Sequence, residues 1–278
     1  ATHTGEMPLL LQWMEYHLSA GIDHFFIYDS DGSAAPLLAS YAGRGVVTYF
    51  PRWPSSLSEK EAAVVRDCRG CLDQHMNAHC MSRNRGLSRW VLLLHGFDTY
   101  LASGRPAGSS RDLWSGRRSS ALLLTSALGL LDMRWEKLGT VALSMIDFGG
   151  PPSNSSWVMG RFLHRQVGPI SAQHELAKGA ARDSSWLNHF GAVMVNPLNV
   201  LGTLDHWSRS RPGAADVEVP WEVLRVNHYV DAMRPRSHEH HIKSDVPDFG
   251  MLETLKQLCS SFGFKVDANA PSDDTPAC

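Results

Sequence analysis

The chain has 278 residues, of which 43% are hydrophobic and 19% are charged, and its formal net charge is −2. This length can bury one substantial core, so a single large α/β domain is expected. The small net charge gives no overall field that would attract nucleic acid, so no nucleic-acid partner is predicted. The longest apolar run, 121–131, is too short to cross a bilayer, and no membrane span is predicted in this chain.

The first predicted elements are an amphipathic helix and a buried strand. The helix has an apolar stripe at helical spacing, formed by Leu10, Trp13, Met14, His17 and Leu18. The apolar residues of 24–28 run without alternation, which predicts a strand that is covered on both faces. The acidic turn with Asp29 and Asp31 follows at the carboxyl end of this strand, where α/β sheets bind ligands. These two carboxylates are therefore predicted to contact the base or ribose of a nucleotide.

The next elements alternate between helices and short apolar strands. The pattern predicts a helix over 35–41, a strand over 46–50, a helix from Ser58 to about Cys80, and a strand over 89–94. Such alternation favours a mainly parallel sheet with covered faces. We predict one domain over 1–264 and a disordered tail over 265–278, because the end of the chain is polar.

Several segments together resemble the family 92 glycosyltransferases and their relatives with the GT-A nucleotide-sugar fold. The resembling elements occur in the family's order and are Gln12–Asp29, a Gln–Cys–Trp pattern, Asp-Thr-Tyr-Leu from 98, Phe-Gly-Gly from 148 with Arg-Phe-Leu-His-Arg from 161, and Asn-His-Tyr from 227. The resemblance implies a GT-A-like (Rossmann-type), mainly parallel sheet flanked by helices. It also places Glu6 at the nucleotide site. The family has an apolar strand before this glutamate, and residues 1–5 are too few to contain it.

The segment over 90–101 resembles the family's acidic DxD element, which holds a divalent cation against the diphosphate of the donor. Carboxylates suit manganese or magnesium ions. If Asp98 is aligned with the family's second acidic position through a gap, Gly96 occupies the first position. Without a gap, His95 occupies the first position and Phe97 the second, so one carboxylate is absent in either case. The resemblance implies Asp98, His95 and the later His228 as metal ligands. The alternative is that Asp98 ends a buried strand and that His228 bonds to backbone.

The middle of the chain supplies basic and acidic candidates. The resemblance implies that Arg161, Arg165 and Lys178 contact the diphosphate, since guanidinium groups donate to phosphate in a bidentate fork. A solvated basic face is the alternative. Transfer with inversion also needs a carboxylate base near the acceptor hydroxyl, and Glu175 and Asp183 are the two candidates. Their spacing does not choose between them.

A zinc site is the competing interpretation of the cysteines and histidines. Cys68, Cys71, His75 and His79 would lie on one face of a single helix, and zinc binds such ligands. One straight helix cannot surround an ion with four side chains, so buried core cysteines are favoured. The run 238–241, His-Glu-His-His, lacks the spacing of a helical zinc motif. A zinc hydrolase is therefore not the favoured function.

The resemblance implies a glycosyltransferase that moves a hexose, with galactose as the first candidate, from a UDP-sugar to a glycan hydroxyl. The expected cofactor is a divalent metal, with manganese preferred, and the expected outcome is inversion. The implied location is the Golgi lumen or another secretory compartment, with the cytoplasm as the alternative. The alternative function is a catalytically silent GT-A-like domain that binds glycan or a partner protein.

Overall fold

A computed structural model describes residues 7–54, 57–68, 71–94, 96–102, 129, 131, 135–150, 155, 157–161, 164–165, 191–203, 208–233, 246–247, 251, 255 and 258. The predicted tail over 265–278 lies outside these residues. The described helices are α1 (Met7–Ser19), α2 (Ala35–Gly43), α3 (Glu59–Asp67), α4 (Cys71–Asn84), α5 (Val158–Arg161) and α6 (Val230–Met233). No described helix is both long enough and apolar enough to cross a bilayer.

The described strands combine with these helices into an α/β fold, which confirms the predicted class. They are β1 (Phe25–Asp29), β2 (Val47–Pro51), β3 (Val91–Leu93), β4 (Thr99–Ala102), β5 (Leu138–Gly149), β6 (His164–Arg165), β7 (Gly191–Val195), β8 (Val200–Thr203), β9 (Ser208–Ser210), β10 (Ala215–Val219), β11 (Arg225–Tyr229) and β12 (Val246–Pro247). The strands β1 and β2 pair in parallel, and α2 connects them. The first predicted elements are therefore confirmed.

The long strand β5 is the centre of the larger, eight-stranded sheet. All twelve of its residues are buried. The strands β10 and β11 run parallel to it along one edge, and β6 and β7 run antiparallel along the other. The strand β4 pairs antiparallel with β11, and β3 pairs antiparallel with β7. The larger sheet is therefore mixed.

The single helix predicted from Ser58 to Cys80 is wrong, because the chain forms two helices there. The first helix begins with the predicted capping box: the Ser58 hydroxyl accepts from the Glu61 backbone N–H, and Glu61 accepts from the Ser58 backbone. It ends at Cys68, whose backbone is extended at φ −84° and ψ 116°. Cys68 forms a disulfide with Cys71, whereas Cys80 is a free, buried cysteine.

Side chains of α1 bind the outer edge of β4. Trp13 Nε1 donates to the Thr99 carbonyl at 2.8 Å, and the Tyr16 hydroxyl donates to the Leu101 carbonyl. His17 Nε2 accepts from the Leu101 N–H at 3.2 Å, and its Nδ1 lies 2.8 Å from the Trp13 carbonyl. Burial is the main cause that lowers the pKa of His17 to about 4, so the ring is neutral and can donate at one nitrogen and accept at the other. The helix thereby fixes the strand that follows Asp98.

Candidate active site

The register of three strands brings Asp98, His228 and Asp147 to one edge of the larger sheet. His228 in β11 lies opposite Thr99 at the start of β4 and opposite Asp147 in β5. The parallel strands β5 and β11 end at the same edge, and the antiparallel strand β4 begins there. Asp98 immediately precedes β4, and its carbonyl accepts from the Tyr229 N–H at 2.8 Å. The three side chains therefore meet through pairing between distant segments.

The imidazole of His228 lies between the two carboxylates. Its Nδ1 is 2.9 Å from Asp147 Oδ1, and its Nε2 is 3.5 Å from Asp98 Oδ2. The side chain of His228 is 28% exposed, whereas those of Asp98 and Asp147 are 13% and 11% exposed. This arrangement is a partly buried acid–histidine–acid cluster.

The cluster changes the protonation of its histidine. Burial alone lowers the pKa of His228, but hydrogen bonds to Asp147 and Asp98, together with their charges, outweigh burial and raise it to about 9. At neutral pH the ring is consequently an imidazolium. One positive charge is then shared between two carboxylates.

Gly96 allows Asp98 to take this position. A Cβ atom at Gly96 would lie 2.7 Å from Asp98 Oδ1, closer than real Cβ contacts allow. The Gly96 carbonyl also accepts from the Thr99 hydroxyl at 2.6 Å, which closes the turn before β4. The turn thus leaves room for the Asp98 carboxylate because Gly96 has no side chain.

The structure brings together Asp98 and His228, two of the three predicted metal ligands. The third, His95, lies outside the described residues. Among the described residues, no group of three or more His, Cys, Asp and Glu side chains is arranged to hold a metal ion. Both ring nitrogens of His228 face carboxylates, so its protons occupy the directions in which a cation would bind. Metal binding at these residues stays a prediction.

Asp29 organises the acidic turn after β1. Its buried carboxylate accepts from the backbone N–H groups of Asp31 and Ala34, at 3.2 and 2.8 Å, and from the Tyr49 hydroxyl at 2.6 Å. Asp31 is exposed, and its carboxylate accepts from the Ser33 N–H at 2.9 Å. Asp31 is consequently the more accessible of the two predicted nucleotide contacts.

Arg161 and Arg165 are the two described members of the predicted basic set, at the end of α5 and in β6. Arg161 is exposed at the end of α5, and its Nε donates to the Ser155 carbonyl at 3.3 Å. Arg165 in β6 pairs with Phe148, the residue after Asp147, and its guanidinium lies 5.4 Å from the centre of the Trp221 ring. The other predicted site residues lie outside the described part of the chain and are Glu6, Glu175, Lys178 and Asp183.

Sequence reasoning missed Asp147, although a usable signal was present. Residues 141–146 are apolar except for Ser144, and they are followed by Asp147 and, after Phe148, by two glycines. The same pattern, a buried strand followed by an acid, led to the prediction of Asp29. Asp147 immediately precedes the Phe-Gly-Gly segment from 148, and the resemblance implied roles only for residues after that segment.

The chain matches no protein-family model and no curated protein. The functional assignment therefore depends on the geometry of these residues and on the ordered sequence elements described above.

Proposed function

We propose that the protein is a GT-A-like glycosyltransferase that moves a hexose, with galactose as the first candidate, from a UDP-sugar to a glycan hydroxyl. The observation that carries this proposal is His228 held between Asp98 and Asp147, where β5 and β11 end. Ligands in open α/β sheets bind beyond the carboxyl ends of parallel strands. The order of the resembling sequence elements supports the same function, and with it a secretory location such as the Golgi lumen.

The three side chains of this cluster are of the types that bind a hard divalent cation, although they are not arranged around a cation in this structure. Asp98 and Asp147 offer carboxylate oxygens, which manganese and magnesium prefer, and His228 would add a nitrogen once it had lost a proton. Asp147 would supply the second carboxylate that the altered DxD element lacks. A bound cation would offset the negative charge of the departing diphosphate.

The remaining predicted residues have separate roles in the proposed reaction. Arg161, Arg165 and Lys178 would bind and orient the diphosphate through charged hydrogen bonds. Glu175 or Asp183 would take the proton of the acceptor hydroxyl. The acceptor oxygen then bonds to the anomeric carbon as the bond to the diphosphate breaks, and the configuration is inverted.

Hydrolysis and transfer of UDP-galactose in the presence of manganese test the proposal. We expect Asp98→Asn and Asp147→Asn each to lower the rate at least about 100-fold, a typical effect of removing one charge-stabilising group. Glu218→Gln is the matched control, because Glu218 is an exposed acid in β10 away from the three residues. Equal rates in all four proteins would overturn the assignment of the site, and a wild-type protein inactive on every UDP-hexose tried would overturn the assignment as a transferase.

The second candidate is a silent GT-A-like domain that binds glycan or a partner protein. The specific observation in its favour is that the His228 imidazolium already balances charge between the two carboxylates without a cation. Thermal unfolding separates the two functions. Stabilisation that needs both UDP and manganese supports the transferase, whereas glycan-dependent stabilisation with no response to UDP and manganese supports the silent domain.

A further inference from the structure

A disulfide joins Cys68 to Cys71 at the junction between α3 and α4, and neither proposed function uses it. Cys68 follows the last residue of α3 with an extended backbone, whereas Cys71 is the first residue of α4. Cys68 is exposed, and Cys71 is partly buried. The two halves of the bond therefore differ in their access to solvent.

The position of this bond suits it poorly to stabilising the fold. In the chain-entropy description, a disulfide stabilises a protein by restricting its unfolded chain, and the effect grows with the number of residues in the closed loop. Cys68 and Cys71 are three positions apart in the sequence. The bond therefore restricts the unfolded chain far less than a link between distant segments would.

The packing of α4 does not depend on the disulfide. One turn after Cys71, the ring of His75 stacks on Trp53 with centroids 5.1 Å apart. One turn further, His79 Nδ1 lies 2.9 Å from the Tyr28 hydroxyl. Tyr28 and Trp53 also share an apolar cluster with residues of α4. These contacts hold α4 whether or not the sulfur atoms are bonded, so the reduced protein can stay folded.

The helix α3 depends on the junction more than α4 does. None of the α3 residues whose burial the structure describes is buried, and Val64 is 65% exposed. The Cys68 N–H donates to the Val64 carbonyl at 3.2 Å, and the Cys71 N–H donates to the Cys68 carbonyl at 3.1 Å. The backbone hydrogen bonds between the two helices thus run through the linked cysteines. Opening the disulfide should therefore loosen α3 without unfolding the domain.

We propose that Cys68 and Cys71 form a redox-active pair that exchanges electrons with low-molecular-weight thiols. Two cysteines separated by two residues are the spacing of reactive dithiols, and disulfide exchange requires access to a sulfur atom. The exposed Cys68 supplies this access. The proposal depends on this junction alone and is independent of the proposed transferase activity.

The unequal positions of the two cysteines give the order of the steps. A thiolate attacks the exposed sulfur of Cys68, the Cys68–Cys71 bond breaks, and Cys71 leaves as a thiolate that takes up a proton. The start of a helix stabilises negative charge, and Cys71 lies at the start of α4. Asp73 is also in this first turn, but residues two positions apart in a helix do not face each other.

A second thiol completes the reduction. Its thiolate attacks the sulfur of the first thiol molecule, and Cys68 leaves as a thiolate that takes up a proton. The protein thereby gains two electrons and two protons, and the two small thiols leave as one disulfide. The reverse sequence re-forms the Cys68–Cys71 bond.

Redox titration of the full chain tests the proposal. The protein is equilibrated with graded ratios of reduced to oxidised glutathione, free thiols are alkylated, and the peptides that contain Cys68 and Cys71 are quantified by mass spectrometry. We expect the pair to pass from disulfide to dithiol across these ratios without urea. Amide hydrogen exchange in 59–67 should become at least about tenfold faster on reduction, whereas exchange in 138–149 should stay unchanged.

A single-cysteine variant tests the pairing itself. In Cys71→Ala, Cys68 should form a mixed disulfide with glutathione that persists, because the cysteine that would displace glutathione is missing. In the reduced wild type the same adduct should decay at least about tenfold faster, as the Cys68–Cys71 bond re-forms. Cys80→Ala is the matched control, because Cys80 is free and buried and should leave both the titration and the decay unchanged.

Three results would overturn the proposal. The first is a bond that glutathione reduces only after urea has unfolded the protein. The second is loss of protection in 138–149 on reduction, which would make the bond a structural support. The third is an adduct on Cys68 that decays equally slowly in the wild type and in Cys71→Ala, which would mean that Cys71 does not attack it. None of the three results bears on the roles of Asp98 and Asp147.

Discussion

His228 Nδ1 lies 2.9 Å from Asp147 Oδ1, although the two residues are 81 positions apart in the chain. The parallel register of β11 and β5 sets these residues opposite each other, and Asp98 approaches the ring from the other side at 3.5 Å. The protonated ring is therefore part of the structure at neutral pH, and the cluster can be tested by its effect on stability as well as on activity.

The free energy of unfolding should fall as the pH rises through the His228 transition. The folded-state pKa is about 9 and the ordinary value is 6.5, so the folded state binds the proton more tightly. The stabilisation is complete below pH 6.5 and is lost as the pH approaches 9, with a total of at most about 3 kcal/mol. Urea unfolding between pH 6 and pH 9.5 measures this loss of stability, since that range extends about half a pH unit beyond each of the two pKa values. A His228→Gln variant should lack this loss, and a wild-type stability that is flat across the window would contradict the prediction.

Asp147→Asn should lower the pKa of His228. The hydrogen bond to Asp147 is the largest of the causes that raise this pKa against burial, and an amide cannot replace its charge. Titration of the histidine Cε1–H signals by NMR, with the His228 signal assigned through His228→Gln, measures the change. Glu218→Gln should leave the titration unchanged, and an unaltered midpoint in Asp147→Asn would show that the ion pair does not persist in solution.

Gly96→Ala should disturb the acidic cluster. The added Cβ would lie 2.7 Å from Asp98 Oδ1, so the carboxylate must move away. We expect a lower His228 pKa and an affinity for manganese reduced at least about tenfold, as measured by NMR titration of the histidines and by thermal unfolding at graded manganese concentrations. Gly43→Ala is the matched control, because a Cβ at Gly43 has no neighbour within 4 Å and the residue lies in a helix. Equal behaviour of the two variants would show that Gly96 has no part in positioning Asp98.

Tyr16→Phe should destabilise the fold more than Tyr100→Phe. Both tyrosines are almost fully buried and their rings pack 5.2 Å apart, but only the Tyr16 hydroxyl donates to the edge of β4, at Leu101. The hydroxyl of Tyr100 has no hydrogen-bond partner among the described residues. Loss of the Tyr16 bond leaves a buried carbonyl unsatisfied and should cost roughly 1–3 kcal/mol. Urea unfolding of the two variants compares them, and equal destabilisation would refute the role given to Tyr16.

Substitution of Asp29 should lower the stability of the protein, whereas substitution of Asp31 should weaken nucleotide binding. Asp29→Ala removes the acceptor of three hydrogen bonds in a buried turn and should lower the free energy of unfolding by roughly 2–4 kcal/mol. Asp31→Ala acts on an exposed side chain, so it should have little effect on stability and should weaken UDP binding. Calorimetry of unfolding and UDP titration measure both effects, and a stable Asp29→Ala protein that has lost UDP binding would reverse the two roles.

Local patterns predicted the first third of the fold well, because they report which face of a segment is buried. The stripe that contains Trp13 and His17 predicted α1, and the capping box at Ser58 predicted the start of α3. The same patterns missed the break at Cys68, although Gly70, a residue type that disfavours a helix interior, stands in the sequence between the two helices. They also could not give the register that sets His228 beside Asp147. Register depends on contacts between segments far apart in the chain, and periodicity within one segment contains no information about them.

The contacts between α1 and β4 also have a consequence for the behaviour of the protein at high concentration. An exposed strand margin with unpaired amides is a template on which another molecule can stack and start fibre growth. Trp13, Tyr16 and His17 already satisfy the carbonyl of Thr99 and both backbone groups of Leu101 with side-chain atoms. These backbone groups are therefore not available to pair with a strand of another molecule, and α1 protects this edge of β4 from intermolecular aggregation.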